Sequence, residues 1–457
     1  MIHLILSLAL FPMGFAAKNP NVVLIVSDDL RAQLNTNGFM SDNGLPSSPN
    51  LGTLSKTGFT FNHAYANQAL CGPSRNSFLS GRRPQTTGAY NFVDSFRDVG
   101  ANWTTLPGLF KNNGYTTVGT GKVFHPGLPP NNDMPFSWDD RMNNGTWDPW
   151  MYPTEDACPE GTAWCGTQNE TDLEDYKVTH TAKKLLNNIT KVEKPFFLAV
   201  GYRKPHLQWR VPQRVLDRVK LSAVSSPANP YLPRSTPDLA YHMPVDDFLL
   251  EFTDVEKCGS GNLTDPSAWF SEDCAKLWRR GYYAAVSYMD EQVGVILDEL
   301  KQRNLEKSTI VVFFGDHGWH LGEWGMWEKF SNFELALRTP MFIRAPNMGS
   351  GLISSPVELI DVYKTLVDLS GLALPDGEII EGDSLVPLMK GEGRSDLVAY
   401  SQFPRCLNGK NYALNFPLSR DDREIWDTYN DGIKPTRRNR EPTEFPEWKL
   451  TNCNEVS

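Results

Sequence analysis

Four short apolar runs in this chain each give way to side chains that can bind metal or move protons. Asp28-Asp29 follows Val22 to Val26, and Lys122 with His125 follows the run that begins at Tyr115. Lys204 and His206 follow Phe196 to Val200, and Asp316-His317 follows Ile310 to Phe314. Any one pair carries little weight, since adjacent carboxylates commonly open a helix or sit in a solvated turn. Their shared position carries more, because strands of one sheet bring such ends to a common rim, where open α/β sheets bind ligands. Asp28, Asp29 and Asp316 with His317 and a reacting oxygen would form an anionic, oxygen-rich set suited to a hard divalent cation, Ca²⁺ first. The imidazole suits Zn²⁺ or Mn²⁺ better, so the metal's identity stays open. No CxxC pair and no HExxH motif occurs in the chain, which argues against a conventional zinc site.

A fifth feature is Cys71, in Cys71-Gly72-Pro73-Ser74-Arg75. Pro73 suits the first turn of a helix, and apolar Phe78 and Leu79 follow it. A helix N-terminus activates a nucleophile and stabilises a bound oxyanion. Taken by itself, Cys71 reads as well as a small buried cysteine beside a turn. The wider run, with Leu79-Ser80-Gly81-Arg82 after it, tips the reading toward chemistry.

The elements that must position these residues follow from the pattern of apolar residues. The four runs lack alternation and predict strands covered on both faces, the mark of a parallel sheet flanked by helices. Leu277, Val286, Met289, Val293, Ile296, Leu297 and Leu300 recur at helical spacing and predict a helix over Lys276 to Leu300. A second helix is predicted from about Val357 to Leu369, stopping at Gly371. The expected fold is therefore α/β, with a mostly parallel central sheet flanked by helices and a truncated or atypical C-terminal subdomain. With 457 residues, 40% hydrophobic and 21% charged, the chain can bury a large core.

Gly-rich, acidic sequence from Asp376 to Arg394 places a boundary near Arg394. The catalytic domain is expected over 17–394, with 395–457 a short Pro-rich segment forming a partial second subdomain. Ala399 to Phe403 is expected to add one more strand. Residues 1–16 read as a signal peptide, an apolar run followed by small residues. No later stretch reaches the roughly 18 apolar residues of a spanning helix. A net charge of -10 argues against non-specific nucleic-acid binding. Of seven cysteines, setting Cys71 aside leaves Cys158, Cys165, Cys258, Cys274, Cys406 and Cys453 able to pair in an oxidising compartment. Sequons begin at Asn102, Asn144, Asn169, Asn188 and Asn262. No P-loop or dinucleotide fingerprint is present.

Together these segments resemble the sulfatase family of the alkaline-phosphatase superfamily, whose signature is Cys-x-Pro-Ser-Arg followed by a Thr-Gly-Arg-like element. Here Ser80 stands in place of the usual Thr. Val26-Ser27-Asp28-Asp29-Leu30, Gly121 to Gly127, Ala199 to His206 and Asp316-His317-Gly318-Trp319 extend the resemblance over roughly residues 20 to 405. They are most similar to the branch that removes 2-O-sulfate from uronic acids in glycosaminoglycans. The resemblance implies that Asp28, Asp29, Asp316 and His317 bind one Ca²⁺. It also implies that a formylglycine-generating enzyme of the endoplasmic reticulum oxidises Cys71 to formylglycine, whose hydrated aldehyde completes the metal site. Arg75 and Lys122 would hold that diol and His125 would hydrogen-bond to it, while His206 and Lys329 would contact the sulfate and the leaving oxygen.

In the implied reaction one diol hydroxyl attacks sulfur as His206 protonates the departing sugar oxygen. His125 then takes the proton of the second hydroxyl, the aldehyde re-forms and sulfate leaves. A sulfated saccharide substrate and a lysosomal or extracellular destination follow from the same resemblance. Two other readings compete with it. A phosphoester hydrolase of the superfamily would normally present Thr or Ser as nucleophile, and a non-catalytic protein binding sulfated glycans would not need Cys71, Arg75, His125 and His206 intact. Relatives continue into a small antiparallel sheet that this short tail replaces, so another sulfated polysaccharide also stays open.

Overall fold

Runs rich in Val, Ile and Phe without alternation can be strands only if both faces are covered. In the computed structural model, Val22 to Ser27 of β1 (Asn21–Ser27) are buried, as is every residue of three further strands. These are β3 (Thr116–Gly121), β4 (Phe196–Tyr202) and β5 (Thr309–Gly315). Structure is described for residues 19–139, 157–231, 236, 240, 252–258, 270–393 and 397–404. The expected signal peptide, the sequons at Asn144 and Asn262, Cys406, Cys453 and the tail after 404 lie outside the described residues.

Four more strands complete an eight-stranded sheet: β2 (Phe59–Tyr65), β6 (Arg338–Arg344), β7 (Gly351–Ile353) and β8 (Val357–Glu358). Its order is β7-β2-β6-β5-β1-β4-β3, with β8 also pairing β2. Among the described strands of this sheet β6 alone runs against its neighbours. The sheet is thus mostly parallel, as expected.

Alternate residues of each strand feed two cores. Val23, Ile25, Val311 and Phe313 pack against α1 (Pro49–Thr57), α4 (Glu174–Ile189) and α5 (Glu272–Gln302). Val22, Leu24, Ile310 and Val312 pack against α2 (Cys71–Ser80), α3 (Leu106–Asn112) and α6 (Asp361–Ser370). Helix α5 covers the predicted span and begins four residues earlier than Lys276, where the Ser271 side chain accepts from Cys274 N. Such an N-cap offsets about 1 kcal/mol of unpaired backbone.

Two expectations are corrected. The helix expected from Val357 begins instead at Asp361. Val357 and Glu358 extend beside β2, and Leu359 N continues toward Tyr65 O at 3.0 Å, so a free sheet edge takes these residues before a helix can start. The Asp361 carboxylate accepts from Glu358 N (2.8 Å), closing the junction. Residues 399–403 form no strand. They lie along the segment before Cys71, with Gln402 N donating to Asn67 O (2.9 Å) and Ser401 Oγ to Ala66 O (2.7 Å). A side chain there replaces the regular ladder that a strand would need.

Cys158 and Cys165 form a disulfide, Cys274 is also disulfide-bonded, and Cys71 is the free cysteine among the described residues. No helix among the described residues is long and apolar enough to cross a membrane.

Candidate active site

Register decides where the chemistry gathers. Ser27 lies opposite both Tyr202 and Gly315, so β1, β4 and β5 end at one level and Asp28 and Asp316 leave the sheet side by side. Gly121 lies opposite Gly201. A Cβ on Gly121, whose φ is 74°, would strike the Gly201 carbonyl, and one on Gly201 would strike the Lys122 backbone. Only a glycine pair lets Lys122 turn in over the sheet.

Cys71 meets that rim from α2. Its Sγ accepts from Lys329 Nζ at 3.0 Å and lies 3.4 Å from His317 Nε2 and 3.9 Å from Asp29 Oδ1. Arg75, one turn along the helix, reaches Asp316 Oδ2 through Nε (3.0 Å) and Asp28 Oδ1 through Nη2 (3.1 Å). Its Nη1 donates to the carbonyls of Lys122 and Val123. Lys122 Nζ binds the second oxygen of Asp28, and Lys329 Nζ binds Asp29 Oδ1 at 2.6 Å. His206 Nε2 stands 3.9 Å from Asp29 Oδ2.

Two groups of metal-competent atoms result, Asp28, Asp29, Cys71 and His206, and Asp28, Cys71, Asp316 and His317. The first brings His206 beside the carboxylates, whereas the family resemblance implies contact with the sulfate. His125 belongs to neither group. It is buried, its ring 5.3 Å from that of Phe92 and its Nδ1 paired with Pro126 O. Lys204, read beside His206 as a strand-end residue, donates through Nζ to Gln208 O.

The electrostatics show carboxylates that burial alone would neutralise. Burial, then Asp28, push Asp316 up to about 7. Burial raises Asp29 as well, against the pull of Lys329. Asp28 is the exception, since burial raises it but Lys122, His206, Arg75 and Lys329 together hold it well below the usual carboxylate range. Burial and then Lys329 lower His317 to about 3, so the ring is neutral. With His317 Nδ1 facing Gly318 O at 3.0 Å, the proton sits on Nδ1 and the Nε2 lone pair faces the carboxylates. His206 and His125 share this arrangement, each Nδ1 on a backbone carbonyl, and burial followed by Lys122 lowers both.

Ser74 Oγ donates to the Asp316 carbonyl and secures α2 to the end of β5, a role that no local motif announces. Behind the Asp29 turn, Glu323 accepts from Arg31 (2.9 and 3.2 Å), Arg279 (3.0 Å) and Leu321 N (2.8 Å). Burial opposes its charge, yet Arg31 and Arg279 hold its carboxyl well below the usual range. Its folded pKa is therefore depressed. The stability it contributes is present above the ordinary glutamate pKa and lost as pH falls through that value toward the folded one. Glu323→Gln is expected to lower stability at neutral pH and flatten the acid limb of a stability-against-pH curve. Unfolding curves for the two chains that stay parallel between about pH 6 and pH 3 would contradict this.

A mostly parallel sheet whose carboxyl rim gathers three buried aspartates, a helix-start cysteine and a cationic surround defines a metal-competent ester hydrolase. The sulfatase family model matches residues 20–372, and the chain belongs to that family, so it is a sulfuric ester hydrolase. Iduronate 2-sulfatase of Mus musculus is 34% identical over 450 residues, covering 84% of this chain and 78% of that protein. Iduronate 2-sulfatase of Homo sapiens is 34% identical over 443 residues, with the same coverage of 84% and 78%. Among solved structures, a 2-O GAG sulfatase superposes with a TM-score of 0.59 at 21% identity, covering 83% of this chain and 76% of that one, a likeness of fold.

Proposed function

We propose that this enzyme removes 2-O-sulfate from uronic acid residues of glycosaminoglycans, with Cys71 carried as formylglycine and one Ca²⁺ held by Asp28, Asp29, Asp316 and His317. The observation that carries the metal reading is Asp29 Oδ2, a buried carboxylate oxygen with no hydrogen-bond partner among the described residues. Such an atom is costly unless a cation answers it. Charge counting supports the same reading. Asp28, Asp29 and Asp316 are matched by Arg75, Lys122 and Lys329. A divalent cation would leave a positive excess, which an anionic sulfate ester offsets. When bound, the ion supplies Lewis-acid polarisation of the oxygens it contacts.

The chain's own residues divide the remaining work. Lys329 and Lys122 stabilise charge on the transferring sulfate, and Arg75 keeps the carboxylates in place. His206, neutral in the substrate-free site, gains affinity for a proton as the anionic ester arrives and can then protonate the leaving oxygen. His125, with its Nε2 lone pair free of the backbone bond, accepts a proton in the second step. The uronate 2-O-sulfate reading rests on 34% identity over most of the chain to proteins named iduronate 2-sulfatase.

A secretory route, through a leader at 1–16 to a lysosomal or extracellular site, is supported by the Cys158–Cys165 disulfide. Exposed sequon residues Asn102, Asn169 and Asn188 are available for glycosylation. The formylglycine-generating enzyme is the biosynthetic partner this scheme needs. The catalytic domain is taken as 17–394 and the remainder as a partial subdomain, in line with a family match that ends at 372.

The test is a desulfation panel of disaccharides bearing 2-O-sulfated uronate or 6-O-sulfated glucosamine, run beside a small aryl sulfate, on protein whose Cys71 peptide shows the aldehyde by mass spectrometry. Preference for the 2-O-sulfated uronate by at least about tenfold in kcat/KM is expected, a modest differential of transition-state binding. Activity confined to the aryl sulfate or to the 6-O-sulfate would overturn the assignment.

A further inference from the structure

We propose that Tyr282 is a positioning residue for calcium binding, a buried hydroxyl that locks the left-handed Asp29 turn so that its unpaired Oδ2 faces the metal. This rests on the Ca²⁺ reading above. Asp29 has a φ of 60°, in a region that L-residues enter only at a cost. Something must therefore hold the turn. Asp29 N donates to Asp316 Oδ1 at 3.0 Å, which fixes one side of the peptide.

The other side is held from outside the sheet. Tyr282, on α5, donates its hydroxyl to Asp29 O at 2.8 Å and accepts from Arg31 N at 2.9 Å. One oxygen thus bridges the residues on either side of Leu30. The ring cannot drift, because it is fully buried and packs edge-on against Trp209 (5.8 Å) and Tyr283 (6.4 Å). Arg31 is tied in turn through the paired bonds of its guanidinium to Glu323. Asp29 Oδ1 is already committed to Lys329, so the direction of Oδ2 depends on the backbone that Tyr282 holds.

Removing the hydroxyl leaves Asp29 O and Arg31 N without this partner and frees the turn to relax toward commoner angles. Loss of an outer contact of this kind weakens metal binding roughly 10- to 100-fold. Tyr363→Phe is the control. That residue is also fully buried and loses one bond, to Thr104 O at 3.0 Å, but it sits on α6, in the core on the opposite face of the sheet.

The experiment is calorimetric titration of Ca²⁺ into chelator-stripped full-length wild type, Tyr282→Phe and Tyr363→Phe, with the calcium-induced rise in Tm read in parallel. We expect Tyr282→Phe to bind at least about tenfold more weakly and to show a smaller calcium-induced rise. Tyr363→Phe should lower the starting Tm and keep the wild-type Kd. Equal Kd for wild type and Tyr282→Phe, or an equal loss in both variants, overturns the proposal. If wild type itself binds no Ca²⁺, the metal reading fails first and the role of Tyr282 with it, a result distinct from either. Should Tyr282→Phe not fold, Glu323→Gln releases the same turn from the Arg31 side and is expected to weaken Ca²⁺ in the same direction, an unchanged Kd again refuting the idea.

Discussion

Cys71→Ser is expected to lower steady-state sulfate release by at least about 10³-fold while leaving the enzyme able to attack its substrate once, the loss expected when a step of covalent catalysis is removed. Serine can displace the sugar alcohol from sulfur and keep the sulfo group on Oγ, but its Cβ carries no second hydroxyl whose deprotonation could expel sulfate. The surroundings that favour the first step are unchanged in this variant. Lys329 Nζ sits 3.0 Å from Sγ, and Asp29 and His317 stand just behind. Mass spectrometry of the variant after exposure to substrate should therefore find the peptide around position 71 carrying one sulfo group, in an amount no greater than the enzyme. Sustained turnover above about a tenth of the wild-type rate would end the formylglycine scheme. The Cys71 thiol is a poor nucleophile in this environment, since burial and then Asp28 raise its pKa far above the ordinary thiol range.

How much of this was legible in the sequence depended on whether a residue's role is local. The strands β1, β4 and β5 are visible because a strand buried on both faces is mostly apolar, whereas β3 shows more weakly, its threonines interrupting the apolar run, and the polar successors of all four mark the rim. Strand β2 was hidden, since Phe59-Thr60-Phe61-Asn62-His63-Ala64-Tyr65 mixes polar residues into a run whose hydrophobic signal is weak. Strand β8 has two residues, too short for any periodicity, and its formation delayed the helix that the sequence started at Val357. Lys329 enters the sequence reading only through the family resemblance, and the structure sets it on Cys71 across more than 250 residues of chain.

Residues that act through a partner distant in sequence left no such trace. Tyr282 reads as one more aromatic on the buried stripe of a long helix, and Ser74 as a polar residue in a signature. The Gly121 and Gly201 pair shows its purpose only when the register sets one against the other. His206 illustrates the reverse error of emphasis. Its place after β4 was plain, but not that its ring would reach the carboxylates.

Arg75→Met should show the largest effect on stability, for reasons the site geometry makes specific. Arg75 is fully buried and contributes to the charge balance of two carboxylates and to the satisfaction of two carbonyls at once. Methionine fills much of the volume and supplies none of the donors. Breaking a buried ion pair from one side costs about 3–5 kcal/mol, because the partner is left charged in a medium that solvates it poorly. Asp316, already pushed up to about 7 with Arg75 beside it, would rise further. A carboxyl whose folded pKa exceeds its unfolded value contributes its stability at low pH and loses it as pH rises through the folded value. The deficit of the variant against wild type, measured by urea unfolding of the metal-free proteins, is therefore expected to be smallest in acid and to widen toward neutral pH. Saturating Ca²⁺ should then recover part of it by supplying positive charge to the same carboxylates, about 2.7 kcal/mol at a hundredfold excess over Kd. A second substitution, Asp316→Leu, placed on Arg75→Met should recover only part of the stability of the metal-free protein, since it removes one unanswered buried charge but takes the acceptor from Asp29 N and His317 N, and should forfeit the recovery by Ca²⁺. A deficit below about 1 kcal/mol, or one that shrinks as pH rises, would mean that Asp28 and Asp316 find their compensation in Lys122 and not in the signature arginine.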